Sequence, residues 1–230
     1  MIFIIGGFFW LVSWLVSSKL KNKFKKYSQI GLSSGLSGRE IAENMLRDND
    51  IYDVNVISVT GQLTDHYNPT NKTVNLSKDV YNGRSAAAAA IAAHECGHAV
   101  QHATAYSMLQ MRSAMVPIQN ASSRIINMMF WALLVGSFAL PGIIPMDTAL
   151  LVIVICYAIF TLFAFITLPV EFDASNRALA WVDEHRVVNR EEYAIAKDAL
   201  KWAAMTYVVT AIGSLVTLLY YVWLLLGSRD

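Results

Sequence analysis

Residues 85–106 have the sequence SAAAAAIAAHECGHAVQHATAY. Alanine has the highest helix propensity, and Gly97 is the only glycine or proline here, so the sequence predicts a single helix from Ser85 to about Tyr106. The uncharged run at its start, residues 85–93, is much shorter than the roughly 20 residues that a helix needs to span a bilayer. This helix is therefore expected to lie outside the membrane.

The helix contains His94-Glu95-Cys96-Gly97-His98, in which the two histidines are four residues apart. Residues at i and i+4 lie on the same face of a helix, so both imidazoles can bind one zinc ion at about 2.0–2.1 Å. Glu95 is offset from that face and can instead accept a proton from water at the metal. The spacing predicts a zinc site with Glu95 as the general base. The alternative is an amphipathic helix whose polar edge carries two histidines.

A second helix is predicted earlier in the chain. Residues 31–38 form a linker rich in glycine and serine, and Ser37 can cap a helix over residues 38–48. Glu40 lies three residues after Ser37, the spacing of a capping box, in which each side chain binds the other residue's backbone N–H.

Strands are predicted between these two helices. Residues 54–60 are rich in β-branched side chains, and residues 63–67 and 73–76 flank the turn sequence Asn-Pro-Thr-Asn at 68–71. The pattern predicts a strand followed by a β-hairpin. The first strand of the hairpin could pair with an extended peptide substrate.

The composition indicates a membrane protein. Only 15% of the residues are charged, whereas soluble domains have about 25%, and the mean hydropathy is +0.42. The candidate membrane spans are four apolar stretches: residues 2–18, 126–145, 149–170 and 203–227. Pro141, Gly142 and Pro145 interrupt the second stretch, which is predicted to be a kinked span or one arm of a re-entrant hairpin.

Basic residues are unequally distributed around these stretches. Residues 19–125 contain 12 lysines and arginines and residues 171–202 contain 5, whereas Arg229 alone follows the last stretch. Cytoplasmic segments are enriched in such residues, so both regions are expected in the cytoplasm. Five lysines follow the first stretch and none precedes it, which favours an uncleaved anchor over a signal peptide. The net charge of +1 and the lack of a long basic block argue against nucleic acid as a partner.

A catalytic zinc site has three protein ligands and one open position. His66, His102 and His185 are candidates for the third ligand by residue type, although His102 is two turns beyond the first motif histidine. Glu171 and Asp173 directly follow the third apolar stretch, on the same predicted side of the membrane. The alternative role of these two carboxylates is an ordinary favourable charge at a helix start.

Three blocks of sequence resemble the YugP-type membrane zinc metallopeptidases: LTDHY (63–67), HECGHAVQH (94–102) and LPVEFDAS (168–175). More distantly, the arrangement is similar to that of the HtpX-type gluzincins, in which an edge strand precedes the HExxH helix. The resemblance implies that zinc (Zn²⁺) is held by His94, His98 and Glu171, with Glu95 as the catalytic base.

The chain departs from the gluzincin pattern at one position. Gluzincins carry an aspartate four residues after the glutamate ligand, and Ser175 occupies that position here. The supporting role of that aspartate is open to Asp173, Ser175 or Asn176. A donor to the oxyanion is also needed, and Tyr67, His66 and Arg177 are candidates.

The predicted fold is a mainly α membrane protein with about four transmembrane helices and a cytoplasmic zincin-like domain, which carries the HExxH helix and a small β-hairpin or sheet. The predicted domains are an N-terminal anchor (1–18), a cytoplasmic catalytic region (19–125), two transmembrane helices or a hairpin (126–170), a cytoplasmic segment with the third ligand (171–202) and a C-terminal transmembrane helix (203–227).

The predicted function is that of a zinc endopeptidase in the cell membrane, acting on cytosolic or juxtamembrane segments of membrane proteins. The main alternative is a non-catalytic, zinc-stabilised scaffold or adaptor, which would have no use for Glu95 as a base. An intramembrane protease would need HExxH within a long apolar span. A metal transporter would need ionisable residues inside the spans, and the apolar stretches lack them.

Overall fold

The chain divides into two compact units, each built from separated pieces of sequence. The computed structural model describes residues 1–139 and 145–227, except the side chains of residues 135–139. The first unit comprises Met1–Ser13, Met111–Leu168 and Tyr207–Asp230, and the second comprises Trp14–Gln110 and Pro169–Thr206.

Helices predominate in the described residues, and a small sheet accompanies them. In chain order the elements are α1 (Ile2–Tyr27), α2 (Gly38–Asp48), β1 (Asn55–Val59), β2 (His66–Asn68), β3 (Thr73–Ser77), α3 (Lys78–Tyr81), α4 (Ala86–Ala103), α5 (Ser107–Ala139), α6 (Met146–Glu184) and α7 (Arg190–Gly227). Helix α4, Ala86–Ala103, lies within the range 85–106 over which the sequence predicts a helix.

Three of the described helices are long and apolar enough to cross a membrane: α1, α6 and α7. They contain the predicted stretches 2–18, 149–170 and 203–227, and each continues into polar sequence without a break. The remaining stretch, 126–145, forms the last part of α5 as far as Ala139, and residues 140–144 lie outside the described residues. A fourth span therefore stays a prediction.

Helix α2 begins as its sequence predicts. The Ser37 backbone N–H donates to Glu40 Oε2 at 2.8 Å, and the Glu40 backbone N–H donates to Ser37 Oγ at 3.3 Å. This reciprocal cap satisfies two helix-end donors, and a cap of this kind contributes about 1 kcal/mol. Ile41, Ala42 and Met45 then project into the core of the second unit.

The sheet has the order β1-β3-β2. The hairpin is confirmed, because β2 pairs antiparallel with β3, with His66 opposite Asn75 and Asn68 opposite Thr73. Strand β1 is parallel to β3 and forms the opposite edge.

The predicted first strand of the hairpin, 63–67, was placed too early. It begins at His66, because Leu63 has a φ of 55°, in the left-handed region. Asp65 then uses its carboxylate, and not its backbone, to accept hydrogen bonds from the N–H and hydroxyl of Ser77, at 2.7 and 3.2 Å.

The core of the second unit surrounds α4, whose alanines at 86–90, 92 and 93 are at most 1% exposed. Because these side chains are small, α2, α3 and the sheet approach α4 closely. The core of the second unit is densely packed as a result. Cys96 is fully buried within this core, and burial raises the pKa of its thiol far above the ordinary value.

Candidate metal centre

Two imidazoles and one carboxylate meet between α4 and α6. Glu171 Oε2 is 3.4 Å from His94 Nε2 and 3.6 Å from His98 Nε2, and one ligand atom from each residue lies within 4.8 Å of the other two. His98 and Glu171 are buried, at 9% and 2% exposure, and His94 is half-buried. The i, i+4 spacing brings the two rings to a centroid distance of 4.8 Å.

The separations between these atoms fit a small divalent ion. Two ligand atoms about 2.1 Å from a tetrahedral zinc are about 3.4 Å apart, close to the two distances from Glu171 to the imidazole nitrogens. Two histidines and a glutamate are also a ligand set of catalytic zinc sites. Within the described residues the cluster has these three members, which leaves one position of a tetrahedral ion for water or substrate.

The other nitrogen of each ring is engaged by a polar side chain. Ser175 Oγ lies 3.1 Å from His94 Nδ1, and Gln101 Oε1 lies 3.0 Å from His98 Nδ1. Both rings therefore present Nε2 to the carboxylate of Glu171. Of the residues considered for the position of the gluzincin aspartate, Ser175 is the one that contacts a motif histidine directly.

A glycine lets the two helices approach each other closely at the site. A Cβ on Gly97 would lie 2.6 Å from the carbonyl oxygen of Ala174. Only glycine fits this crossing without a shift of backbone, and the crossing places Glu171 and Ser175 opposite the two histidines.

Glu95 lies beside the cluster and outside it, as its offset on the helix predicts. Its Oε2 accepts a hydrogen bond from the backbone N–H of Tyr67 at 3.0 Å, which connects α4 to the edge strand β2. The side chain is buried, at 8% exposure, and its charge acts on His98, although Glu95 is not one of the clustered ligands.

Comparison with known proteins identifies the family. The sequence pattern of a family described as "Putative neutral zinc metallopeptidase" matches residues 1–226. The chain belongs to this family. It is also 42% identical over 221 residues to the "Putative membrane protease YugP" of Bacillus subtilis (strain 168), which covers 95% of this chain and 94% of that relative. No solved structure matches the chain.

The family membership agrees with the resemblance seen in the sequence, and the family implies zinc as the metal. The relative is described as a membrane protein, and this chain has three described helices of membrane-spanning length and hydropathy.

The three other histidines that could have supplied a ligand are placed elsewhere. His66 is exposed, and its Nδ1 lies 2.8 Å from the Thr64 carbonyl oxygen. His102 Nδ1 lies 2.7 Å from the Tyr67 hydroxyl, and His185 stacks on Trp181. Among the described residues, none of these histidines joins the metal cluster.

The candidates for an oxyanion donor differ in their surroundings. The Tyr67 hydroxyl contacts His102 Nδ1, and burial raises the pKa of this phenol, so it stays protonated at neutral pH. Arg177 donates from Nε to Asp173 Oδ2 at 2.6 Å. His66 is exposed at the start of β2. Each candidate carries a group that can donate a hydrogen bond.

Negative charge dominates the immediate surroundings of the two imidazoles. Burial by itself lowers the pKa of His98, but the hydrogen bond to Glu171 and the charges of Glu95 and Glu171 outweigh it, and the net pKa is raised. A site that favours a proton on a buried imidazole also favours a metal cation in its place. Acidification therefore competes with metal binding.

Two contacts at the centre were not anticipated from the sequence. Gln101 lies three residues after His98, which puts it on the same helix face, but the sequence does not show that its amide meets the imidazole of His98. The backbone N–H of Tyr67 carries no signal in the sequence, because its neighbour Glu95 is brought to it by tertiary packing.

Proposed function

We propose that this chain is a membrane-bound zinc endopeptidase that hydrolyses peptide bonds in cytosolic or juxtamembrane segments of membrane proteins. The observation that carries the proposal is the convergence of His94, His98 and Glu171, with Glu95 beside them, in a member of a zinc metallopeptidase family. In this proposal His94 and His98 supply Nε2 and Glu171 supplies a carboxylate oxygen to the metal. Zinc bound there would polarise a peptide carbonyl and make water more acidic.

Glu95 is the general base in this mechanism. Its carboxylate is mostly buried, and the Tyr67 N–H occupies only one lone pair of Oε2, so acceptor capacity remains for a proton from water. The attacking water loses a proton to Glu95, its oxygen bonds to the peptide carbonyl carbon, and the C–N bond breaks. Glu95 then returns the proton to the leaving amine.

The substrate is proposed to bind in extended form along β2. This strand is an edge of the sheet, with β3 on its other side, so it can accept a further strand. Tyr67 of β2 contacts Glu95 directly, which means that a peptide paired with β2 would pass next to the base. Backbone pairing of this kind gives affinity without a strict requirement for particular side chains.

The proposed side of the membrane is the cytoplasm. The unequal distribution of lysine and arginine supports this orientation. Glu171 directly follows the predicted apolar stretch 149–170 in the continuous helix α6, so the metal is expected within about 10 Å of the cytoplasmic interface. Such a position favours substrates whose cleavable segment lies close to the bilayer.

The proposal is tested by replacing the base and leaving the ligands intact. Wild type and Glu95→Gln, purified in detergent, are analysed for bound zinc and for cleavage of an unfolded membrane protein. We expect both to hold one equivalent of zinc. The cleavage rate of Glu95→Gln should fall by about 10²–10⁴-fold, because proton transfer by a positioned side chain contributes that much.

Glu184→Gln is the matched control, because Glu184 is an exposed acidic residue at the end of α6. It should cleave at the wild-type rate. A Glu95→Gln protein that cleaves as fast as wild type would refute Glu95 as the base. A wild type that holds zinc and cleaves nothing would favour the alternative function, a zinc-stabilised scaffold or adaptor.

A further inference from the structure

The amide of Gln101 is the most completely buried polar side chain beside the metal centre. It is 0% exposed, and it has three polar contacts. Its Oε1 lies 3.0 Å from His98 Nδ1, and its Nε2 lies 2.7 Å from the Val170 carbonyl oxygen and 2.8 Å from Asp173 Oδ2. Both contacts of Nε2 are to acceptors: one is a backbone carbonyl oxygen and the other is a carboxylate oxygen.

We propose that Gln101 is a positioning residue that fixes the ring orientation and tautomer of His98 for zinc. The inference rests on the proposed function and assigns to Gln101 a role in the same site. Gln101 contacts His98 Nδ1, and it acts on the metal site through His98.

The hydrogen-bond pattern permits one orientation of the amide. The NH₂ group has to face Val170 and Asp173, since both offer acceptors, so the amide oxygen has to face His98. An oxygen there can only accept, and Nδ1 of His98 must therefore carry the proton. The lone pair of the neutral ring is then on Nε2, the nitrogen that points at Glu171.

The orientation of the amide is itself held from the far side. Asp173 Oδ2 accepts from Gln101 Nε2 and also from Arg177 Nε, at 2.6 Å. The ion pair with Arg177 holds Asp173 Oδ2 in place as an acceptor. Three successive contacts thus fix the ring of His98 on α4 from α6. They run from Arg177 to Asp173, then to Gln101, and then to His98.

The same amide also connects the two helices next to the third ligand. Val170, whose carbonyl accepts from Gln101, is the residue directly before Glu171. A single side chain therefore sets the ring of one proposed ligand and anchors the backbone beside another. Partners of this kind typically contribute 10–100-fold to metal affinity.

The contact of His94 Nδ1 is of a different kind from that of His98. Its Nδ1 faces the hydroxyl of Ser175, which can either donate or accept, so this contact does not select a tautomer. His94 is also more exposed than His98. The two rings are therefore expected to differ in how rapidly the Nδ1 proton exchanges with solvent.

The first test measures metal affinity. Metal-free wild type, Gln101→Met and Gln110→Met are titrated with zinc against a chelator of known affinity. Methionine has nearly the shape of glutamine and lacks its donors and acceptor, and Gln110 is an exposed glutamine that supplies the matched control. We expect zinc binding to be about 10–100-fold weaker in Gln101→Met and unchanged in Gln110→Met.

The second test observes the ring proton directly by proton NMR of the cobalt-substituted proteins. In wild type, the Nδ1 proton of His98 should exchange slowly with solvent and that of His94 faster. In Gln101→Met the slow signal should be lost and the signal of His94 retained. A general loss of structure would affect both signals, whereas loss of this hydrogen bond affects one.

The inference is overturned if Gln101→Met binds zinc as tightly as wild type, or if its slowly exchanging ring proton persists. A wild type that shows no slowly exchanging ring proton also overturns it, and this measurement does not depend on the folding of any variant. The proposed function fails in a different way, through a wild type that binds no zinc.

Discussion

The carboxylate of Glu171 is 2% exposed and lies between two imidazoles, where it is the one anionic group of the cluster found in the described residues. We expect Glu171→Ala to lose zinc, because two histidines remain where three protein ligands are needed. The affinity should fall by more than about 100-fold, since even hydrogen-bond partners of ligands contribute 10–100-fold. Elemental analysis of the purified protein after dialysis measures the bound zinc.

Glu184→Ala controls for the removal of a carboxylate from the same helix, because Glu184 is exposed at the end of α6. It should retain a full equivalent of zinc. If Glu171→Ala also retains a full equivalent, another residue is the third ligand.

The residues of the site differ in how far the sequence alone could identify them. His94, Glu95 and His98 follow from a fixed spacing on one helix, where geometry is local. Glu171 followed only from the resemblance, because the sequence offered Asp173 and three other histidines as well. Which residues of α6 face α4 depends on the rotation of α6 about its axis, and tertiary packing sets that rotation.

At the level of elements, the approach of α4 and α6 depends on Gly97. Alanine within a helix is ordinarily more stable than glycine by up to about 1 kcal/mol. Here the added Cβ would lie 2.6 Å from the backbone oxygen of Ala174, which cannot move without α6. We expect Gly97→Ala to lower the free energy of unfolding by about 1–3 kcal/mol and to weaken zinc binding. Thermal unfolding in detergent and zinc titration measure the two effects.

Gly7→Ala is the matched control, because Gly7 is also inside a helix and a Cβ there would meet nothing within 4 Å. It should leave both the unfolding temperature and zinc binding unchanged or slightly raised. A Gly97→Ala protein that behaves like this control would contradict the close crossing of α4 and α6.

Elements whose signals are local were predicted well, and those set by distant contacts were not. The capping box of α2 and the hairpin β2–β3 depend on residues a few positions apart. The parallel pairing of β1 with β3 joins Asn55 to Thr73 and has no comparable local signal. The polar continuations of α1, α6 and α7 were missed because hydropathy marks where a stretch becomes polar, and a helix can continue past that point.

At the scale of the whole molecule, the order of the sequence interleaves the two units. The second unit takes Trp14–Gln110 and Pro169–Thr206, and the intervening residues belong to the first. The two motif histidines and Glu171 therefore reach one site from pieces of chain on either side of an apolar segment. In a membrane, this requires both pieces of chain to lie on the same side. The orientation of the protein in the membrane therefore decides on which side the site lies.

The proposed orientation can be tested with single cysteines and a membrane-impermeant maleimide. Asn71 is exposed in the β-hairpin turn, and Gly227 is the last residue both of α7 and of the last apolar stretch. We expect Asn71→Cys to be labelled only after the cells are permeabilised and Gly227→Cys to be labelled in intact cells, because lysine and arginine are concentrated on the hairpin side. The labelled fraction is measured by a gel shift.

The unsubstituted protein supplies the background of this experiment. Cys96 and Cys156 are both buried, and burial raises the pKa of the Cys96 thiol, so neither should react in the folded protein. Labelling of Asn71→Cys in intact cells would place the catalytic region outside the cell and refute the cytoplasmic orientation. Labelling of both cysteines in intact cells would mean that the chain between them crosses the membrane an even number of times, which contradicts the predicted final span from the catalytic side to the outside.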